Sequence, residues 1–384
     1  MSSVKRDASG AWRARWRDPS GRSRSRNFGR KVDAERFLTE LDSSKLTGAY
    51  VDPAAGKITF QDWAKSWRAG IVDLRASTLA RDDGYIERYL LPTFGAMRLG
   101  DINPAAVRAW VAELKANGRP GVPEGKRRVL APATVVKAGQ ILSKIMATAV
   151  SDGRLTSNPC TGVRLPKVER QEMRFLSPAE VASLAEVIDP RFRALVYLGA
   201  YAGLRVGEMF GLRAGRLDLP RSRVDVVETV VEVSGELHFG PPKTRAGRRL
   251  VPLPRVVVDA LAEHLRVFPA GPGDLVFRAP EGGTVRLASW RRRFWNAAVS
   301  AAGLAPLRPH DLRHTAVELW IAAGASPKEV AARAGHSSVV TVLDRYGHLL
   351  PGSEERVNDA LDRLAAAVPA PTPLAPIIAI DRRI

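Results

Sequence analysis

The chain has 384 residues, enough for two or three domains of roughly 150 residues each. Hydrophobic residues make up 45% and charged residues 26% of the sequence, a balance that excludes a chain disordered throughout. Lysine and arginine total 59 against 40 aspartates and glutamates, so the formal net charge is +19. This excess favours a polyanionic partner, with nucleic acid ahead of an anionic membrane surface.

The single cysteine and the two chain ends exclude further classes. Cys160 alone cannot form an internal disulfide framework or a metal site with several thiolates, and we expect it to be a small buried hydrophobic residue. Residues 1–10 contain no apolar segment of the kind found in secretory signals. Four prolines interrupt the uncharged segment 364–380, which argues against a membrane anchor there. We therefore expect a cytoplasmic, nucleoid-associated protein without membrane contact, and a disordered tail over residues 366–384.

The N-terminal segment is strongly basic. Residues 1–31 contain ten lysines and arginines and two acidic residues, and alternating side chains predict two short strands with a turn at residues 18–21. The basic residues of the pattern are Arg13, Arg15, Arg17, Arg22, Arg24 and Arg26. Lys5 and Arg6 are assigned to a solvated tail. Backed by a helix predicted over residues 32–46, such a sheet can lie in a DNA groove; a solvated basic hairpin is the alternative.

Helical periodicity dominates the middle of the chain. Apolar residues recur at helical spacing from Phe60 to about Ala149 with no strand pattern between them, which predicts a small all-α domain. A polar break at residues 117–129 would either contact DNA or form a solvated loop. Segments 47–58 and 158–172 are rich in glycine, proline or charge and are predicted to be linkers.

The last part of the chain mixes helices with a small sheet. Ser177 and Ser326 each begin a capping box, and Gly335 is predicted to end the helix that Ser326 starts. The β-branched run 224–233 and the segment 250–253 predict strands. Helices resume from residue 256 to about residue 364. The last of them has apolar residues Val357, Leu361 and Leu364 on one side, for packing on its own domain or on a neighbouring protomer.

Four of the six histidines fall close together near the C-terminus. They are His310, His314, His336 and His348, and Arg313 and Tyr346 lie in the same window. A metal site is disfavoured, because the metalloprotease pattern needs a glutamate after the first histidine and an intervening arginine repels a cation. A phosphate site is favoured, because a guanidinium group binds two phosphate oxygens at once. Arg205, between two glycines, and Lys243, at a turn, supply further cations.

These residues stand in motifs that resemble one family. The motifs are GLRVGE around Arg205, PKT at Lys243 followed by GRRLVPL, HDLRHT with His310 and Arg313, GHSS at His336 and DRYGH at Tyr346. Each motif alone is weak, whereas all of them in this order resemble the signature of the tyrosine recombinases, the phage integrase family. Residues 11–45 resemble the arm-type DNA-binding domain of actinobacterial phage integrases, and residues 60–165 resemble a core-type DNA-binding domain.

The resemblance implies a multi-domain fold. Residues 1–48 would form a small α+β arm-type DNA-binding domain, with a three-stranded sheet plus a helix. Residues 59–157 would form an all-α core-type DNA-binding domain. Residues 173–365 would form a mostly α catalytic domain that includes a small antiparallel sheet.

The resemblance also implies a mechanism. Arg205 and Arg313 would neutralise the non-bridging phosphate oxygens, and His336 would add a hydrogen bond. Tyr346 would be the nucleophile that forms a 3′-phosphotyrosyl link, with His310 as its proton acceptor and Lys243 as the acid for the 5′-oxygen. Rejoining would need no metal, ATP or other cofactor, because the covalent link conserves the phosphodiester energy. The carboxylates of Glu208 and Asp311 would orient the arginines, and structural roles are favoured for His314 and His348.

We therefore expect a site-specific DNA recombinase that integrates or excises a mobile element. It would act as a homotetramer on double-stranded attachment sites, with an accessory host DNA-bending or directionality factor. An integrative-element or transposon recombinase of the same chemistry remains open, as does a non-catalytic DNA-binding protein. A type IB topoisomerase would relax supercoils without recombination, and a metal-dependent nuclease would lose activity in chelator.

Overall fold

The structure is a computed structural model that describes residues 2–17, 21–46, 55–126, 128–169, 173–349 and 353–366. The chain divides into two compact units, Met1–Gln171 and Glu172–Ile384. Most of the first predicted linker, residues 47–54, and the predicted tail from residue 367 onward lie outside the described residues. Among the helices described, none is both long and apolar enough to cross a bilayer.

A three-stranded antiparallel sheet begins the first unit. Its strands are β1 (Ser3–Arg6), β2 (Trp12–Arg17) and β3 (Ser23–Phe28), and helix α1 (Lys31–Leu46) follows. A sheet of three strands is what the resemblance to the arm-type DNA-binding domain implies. The assignment of Lys5 and Arg6 to a solvated tail is wrong, because they belong to β1. The turn into β2 is fixed by Asp7, whose carboxylate accepts the backbone N–H groups of Ser9 and Ala11.

The strand register places the arginines of β2 and β3 on opposite faces of this sheet. Ala14 lies opposite Arg26 and Trp16 lies opposite Arg24, and directly opposed residues share a face. Ala14 and Trp16 are buried against α1, so Arg24 and Arg26 lie on that side as well. The guanidinium of Arg26 covers the rings of Phe28 and Phe37, at 5.3 and 5.4 Å from their centroids.

The other face of the sheet is polar and basic. We call it the basic face: Lys5, Arg13, Arg15 and Arg17, with Ser3, Ser23, Ser25 and Asn27 on the flanking strands. Arg13 is partly neutralised by Asp7, at 3.3 Å.

The rest of the first unit is helical, which confirms the prediction. Its helices are α2 (Phe60–Ala69), α3 (Ala76–Tyr85), α4 (Leu91–Phe94), α5 (Pro104–Asn117) and α6 (Pro132–Ser151). Thr59 and Asn103 cap α2 and α5 through their side chains. The core contains the buried rings of Trp63, Trp67 and Trp110.

Two predicted irregular segments are better ordered than expected. In the second predicted linker, Cys160, Val163 and Leu165 pack against the helical core. Leu165 comes so close to Gly139 of α6 that an added Cβ would lie 2.8 Å from its Cδ2 atom. The polar break returns to the end of α5 at Gly118, which has φ +78° and whose added Cβ would collide with the carbonyl of Arg128.

The second unit opens with helices and continues with two small sheets. The helices are α7 (Pro178–Val187), α8 (Pro190–Ala202) and α9 (Val206–Phe210). One sheet joins β4 (Leu217–Asp218), β5 (Arg223–Val226) and β8 (Arg249–Pro252), and the other is the hairpin of β6 (Thr229–Val233) and β7 (Glu236–Gly240). The run 224–233 is therefore two strands in separate sheets. The turn of the hairpin has positive φ at Ser234 and Gly235, as two-residue hairpin turns require.

Helices form the remainder of the second unit. They are α10 (Arg255–Val267), α11 (Leu287–Trp290), α12 (Asn296–Ala301), α13 (Asp311–Ala322), α14 (Pro327–Ala334), α15 (Val340–Tyr346) and α16 (Ser353–Ala366). Both predicted capping boxes are present, and Gly335 ends α14 with φ +64°. Helix α8 packs against both α10 and α13 in the core of the unit, with Gly199 of α8 against Leu312 near the start of α13 and Gly203 against Trp320.

Candidate active site

The carboxyl end of α14 gathers three arginines from distant parts of the chain. The last carbonyl groups of a helix lack partners within the helix and carry partial negative charge, so cations are stabilised there. Three successive carbonyls each accept from a different guanidinium: Arg333 from Arg249, Ala334 from Arg313 and Gly335 from Arg205. This helix end therefore fixes the cationic centre of the unit.

Arg205 is held at the start of α9 by Glu208. The Glu208 carboxylate accepts from Nη1 of Arg205 at 2.8 Å and from its backbone N–H at 2.9 Å. Burial alone would raise the pKa of Glu208, but Arg249 and Arg205 lower it, so the carboxylate stays ionised. The Arg205 side chain is 39% exposed. Its remaining N–H donors can thus reach a ligand from solvent.

Arg313 is almost completely buried. It is 3% exposed, and its guanidinium donates to the carbonyls of Gly203 and Ala334 and to Nε2 of His336. Gly203 ends α8 with φ +66°, and an added Cβ would lie 2.6 Å from the ring of Trp320. A guanidinium has five N–H donors, so two remain. Burial and the neighbouring Arg205 lower the pKa of Arg313 to about 9.

The protonation state of His336 follows from its contact with Arg313. Burial and the charges of Arg313 and Arg205 lower the pKa of His336 to about 4, so its imidazole is neutral near pH 7. Arginine has no acceptor, so Nε2 of His336, 3.1 Å from Nη2 of Arg313, must accept the hydrogen bond. The ring proton is therefore on Nδ1, which is buried and has no partner among the described residues.

Tyr346 ends α15 with its side chain turned into the protein. It is 2% exposed, and its hydroxyl lies 2.6 Å from Nδ1 of His314. The ring of His310 meets the His314 ring edge-on, with 4.9 Å between centroids. Burial raises the pKa of Tyr346, while Arg313 and Arg345 act in the opposite direction. Tyr346 and the arginines therefore converge on one region. Among the described residues, however, Tyr346 makes no hydrogen bond to Arg205 or Arg313.

His310 and Lys243 are the two solvent-exposed members of the candidate set. His310 immediately precedes α13, and its side chain is exposed. Desolvation by the surrounding protein and the charges of His314 and Arg313 lower the pKa of His310 to about 4. Lys243 is exposed in the loop between β7 and β8 and makes no hydrogen bond or ion pair with any described residue. The structure thus brings five of the six candidate residues together, and no hydrogen bond or ion pair among the described residues ties Lys243 to them.

Other predicted neighbours differ from expectation. The Asp311 carboxylate accepts from Arg308 at 3.1 and 3.3 Å and from its backbone N–H, so it orients neither Arg205 nor Arg313. His348 is exposed and has no bond among the described residues. His314 is buried and its Nδ1 lies 2.6 Å from the hydroxyl of Tyr346, so it is a neighbour of the candidate site.

Arg249 was missed, although a signal for it existed. Its side chain is 6% exposed, and it binds both oxygens of Glu208, at 3.2 and 3.0 Å, as well as the carbonyl of Gly247. On β8 it has the same parity as buried Val251, so an inward-facing arginine could be expected once the strand is identified. No metal-ligand cluster of three histidine, cysteine or acidic side chains occurs among the described residues.

Comparison with known proteins identifies the family. The profile of the Phage integrase family matches residues 174–352, and that of the Phage integrase, N-terminal SAM-like domain, matches residues 59–115. The prophage phiRv2 integrase of Mycobacterium tuberculosis is 30% identical over 370 residues, covering 93% of this chain and 94% of that protein. This chain belongs to the phage integrase family of tyrosine recombinases. Its class of activity is site-specific DNA recombination.

Solved structures of other integrases have a fold similar to that of this recombinase. The integrase of transposon Tn1549, in complex with transposon right end DNA, superposes with a TM-score of 0.64 at 20% identity, covering 80% of this chain and all of that one. A lambda integrase tetramer bound to a Holliday junction gives a TM-score of 0.53 at 18% identity, covering 87% of this chain and 92% of that one. Both support a multi-domain, mostly helical recombinase fold.

Proposed function

We propose that this chain integrates or excises a mobile DNA element by cutting and rejoining strands through a 3′-phosphotyrosyl link at Tyr346. The observation that carries the proposal is the convergence of Arg205, Arg313, His336 and Tyr346 around the end of α14 and the start of α13. A scissile phosphate is the anion that this uncompensated positive charge would accommodate.

Phosphate binding would use donors that have no partner among the described residues. Arg205 and Arg313 each retain N–H groups for the non-bridging oxygens, and Nδ1–H of His336 has no acceptor within that part of the chain. A buried donor without a partner is costly, so an anion that accepts from it is stabilised. The same groups would stabilise the charge that develops on the phosphoryl oxygens in the transition state.

His310 and Lys243 complete the proposed catalytic set. His310 is neutral near pH 7 and exposed, so it can hydrogen-bond to a bound phosphate or accept a proton there. Lys243 would donate the proton to the departing 5′-oxygen once DNA draws its loop to the site. The ammonium group of a lysine on an exposed loop is suited to this task, because its stem is flexible.

We further propose that the reaction needs neither metal nor ATP. The arginines supply the charge neutralisation that metal ions provide in other phosphoryl-transfer enzymes. The phosphotyrosyl ester retains the energy of the broken phosphodiester, so a DNA hydroxyl can reverse the step. Activity should therefore persist in chelator.

The DNA-binding parts and the assembly are proposed from the sequence regions and the relatives. Residues 1–48 would bind arm-type sites through the basic face, and residues 59–157 would clamp the core site together with the catalytic domain, residues 173–365. The lambda integrase is described as a tetramer on a Holliday junction, and we propose a homotetramer here too. Accessory bending or directionality factors would act on the same complex.

Covalent capture tests the reaction directly. The purified chain is incubated in EDTA with fragmented genomic DNA from a bacterial host, denatured, and the protein-linked DNA is sequenced. A nicked duplex carrying the recovered sequence should then give a protein–DNA adduct that survives denaturation. The Tyr346→Phe variant should bind this duplex with unchanged affinity and form no adduct.

Two results would contradict the proposal. An adduct at the wild-type level with Tyr346→Phe would exclude this nucleophile. Loss of the wild-type adduct in EDTA, with recovery on adding Mg²⁺, would point to metal-dependent cleavage instead.

A further inference from the structure

The Tyr346 hydroxyl and the His314 imidazole form the shortest polar contact of the tyrosine. Nδ1 of His314 lies 2.6 Å from Oη of Tyr346, and both residues are buried, at 6% and 2% exposure. His314 lies one position after Arg313 on α13, whereas Tyr346 arrives from α15. Helix α13, which carries the proposed phosphate-binding residue Arg313, therefore also holds the hydroxyl of Tyr346 through His314.

The direction of this hydrogen bond follows from chemistry. Burial lowers the pKa of His314 and raises that of Tyr346, so near pH 7 the ring is neutral and the phenol keeps its proton. A neutral imidazole has one acceptor nitrogen, and the phenol is a good donor. The hydroxyl thus donates to Nδ1, which leaves the ring proton of His314 on Nε2.

We propose that His314 is the group that takes the proton from Tyr346 when the tyrosine attacks DNA. The inference rests on the proposed role of Tyr346 as nucleophile. In the forward step the Oη–H bond of Tyr346 breaks and its proton passes to Nδ1 of His314, while Oη bonds to phosphorus. The bond from phosphorus to the 5′-oxygen breaks, and that oxygen takes a proton from the acid, Lys243 in the proposed function.

His310, the acceptor that the family resemblance implies, has no hydrogen bond to Tyr346 among the described residues. It meets His314 edge-on and is exposed. The charged groups that act on His314 come from three places: Arg313 and Asp311 on α13, Arg308 before it, and Arg345 on α15. Asp311 stabilises the protonated ring and the three arginines oppose it. Burial, which is the larger cause, and the arginines keep the resting ring neutral, whereas Asp311 favours the proton that would arrive during the reaction.

The test measures single-turnover cleavage of the captured duplex by His314→Gln across pH 6 to 10. Glutamine offers an acceptor oxygen of similar reach but cannot take a proton at these pH values. The variant should be slower by about 10²- to 10⁴-fold at pH 7, the usual contribution of a general base. Its rate should then rise about tenfold per pH unit toward the phenol pKa, which burial raises above its usual value, because prior ionisation of the phenol replaces the base.

Controls separate this role from folding and from a role of His310. His238→Gln, on exposed β7, should retain the wild-type rate and profile. His310→Gln should be slower but keep the wild-type shape of the pH profile. If His314→Gln unfolds, His314→Ala assayed with added imidazole gives the same information, because the buffer base should restore cleavage.

The outcomes decide between the alternatives. A steep profile in His310→Gln with a wild-type profile in His314→Gln would assign the proton to His310 and overturn the proposal. Faster cleavage in His314→Gln at neutral pH would also overturn it, because the contact would then be a latch that restrains Tyr346. The Tyr346→Phe control shows separately whether the nucleophile is correct, since its failure to abolish the adduct would affect the proposed function itself.

Discussion

Glu208 is the residue on which two cations of the site depend. Its carboxylate binds Arg205, which is partly exposed, and Arg249, which is buried, and both contacts lie at 3.2 Å or less. An ionised pair in the interior is costly to assemble and more costly to break, because one uncompensated charge remains buried. Glu208 therefore stabilises the buried Arg249 and also positions Arg205, which is part of the proposed catalytic set.

Glu208→Gln should therefore lower the free energy of unfolding by about 3–5 kcal/mol, because Arg249 loses its charge partner in the core. Urea unfolding measures this loss. Asp259→Asn is the matched control, since its pair with Arg255 is exposed on both sides and should cost less than about 1 kcal/mol. Equal effects of the two variants would contradict the assignment of Glu208 as the central carboxylate.

His336 makes stability depend on pH in a defined direction. Burial and Arg313 lower its pKa to about 4, whereas in an unfolded chain a histidine titrates near 6.5. The unfolded chain therefore binds the proton first as pH falls, and stability is lost between about pH 6.5 and 4. His336→Gln should reduce this slope in urea unfolding measured across that range. A slope equal to that of wild type would contradict the neutral buried ring.

At the scale of elements, the register of the N-terminal sheet separates arginines that look equivalent in sequence. Arg15 and Arg17 lie on the basic face, whereas Arg26 covers Phe28 and Phe37 on the side of α1. A cation that covers aromatic rings contributes to packing as well as charge. The two kinds of arginine should thus respond differently to substitution.

The double variant Arg15→Gln, Arg17→Gln in the full chain should weaken DNA binding and reduce the salt slope of log K by about 2, at roughly 0.9 per phosphate contact. Arg26→Gln should leave the slope near its wild-type value and lower stability slightly. Fluorescence anisotropy on duplex DNA at several salt concentrations measures both. A larger slope change for Arg26→Gln would place the DNA on the opposite face.

Helix starts and ends that a few adjacent residues encode were predictable from the sequence, whereas the pairing of strands into sheets was not. The capping boxes at Ser177 and Ser326 and the stop at Gly335 are written in a few adjacent residues, and the structure has all three. Strand β1 was missed because a four-residue strand with two cations carries little pattern. The run 224–233 predicts strand structure without its division into β5 and β6, because β-branched residues do not reveal the point at which a chain leaves one sheet for another.

For the whole molecule, the active site is a product of chain topology. Arg205 follows α8, Arg313 lies in α13 and Tyr346 ends α15, and the packing of α8 on α13 is what joins the first two. Motifs indicate the candidate residues, because the chemistry of each motif is carried by a few adjacent residues. The contact of Tyr346 with His314 was not predictable, because it depends on how α15 lies against α13, which the spacing of residues does not determine.

Helix α16 links the single chain to the proposed assembly. Leu361 and Leu364 are 55% and 67% exposed, an apolar surface on the element that follows the tyrosine helix. Apolar residues left exposed side by side are typical of a surface that another molecule covers. Within a homotetramer, a neighbouring protomer would bury them.

The double variant Leu361→Gln, Leu364→Gln should therefore impair recombination between two duplexes at least about tenfold, while its unfolding free energy changes by no more than roughly 0.5 kcal/mol, as for exposed positions in general. Analytical ultracentrifugation of the DNA complexes should show fewer protomers per complex, because removing apolar contacts weakens each subunit interface. Asp362→Asn, on the same helix, is the control for a change of surface polarity alone. A drop of about 3 kcal/mol or more in the DNA-free chain would instead mean that both leucines pack on their own domain, since fully burying two such side chains is worth about 3–6 kcal/mol.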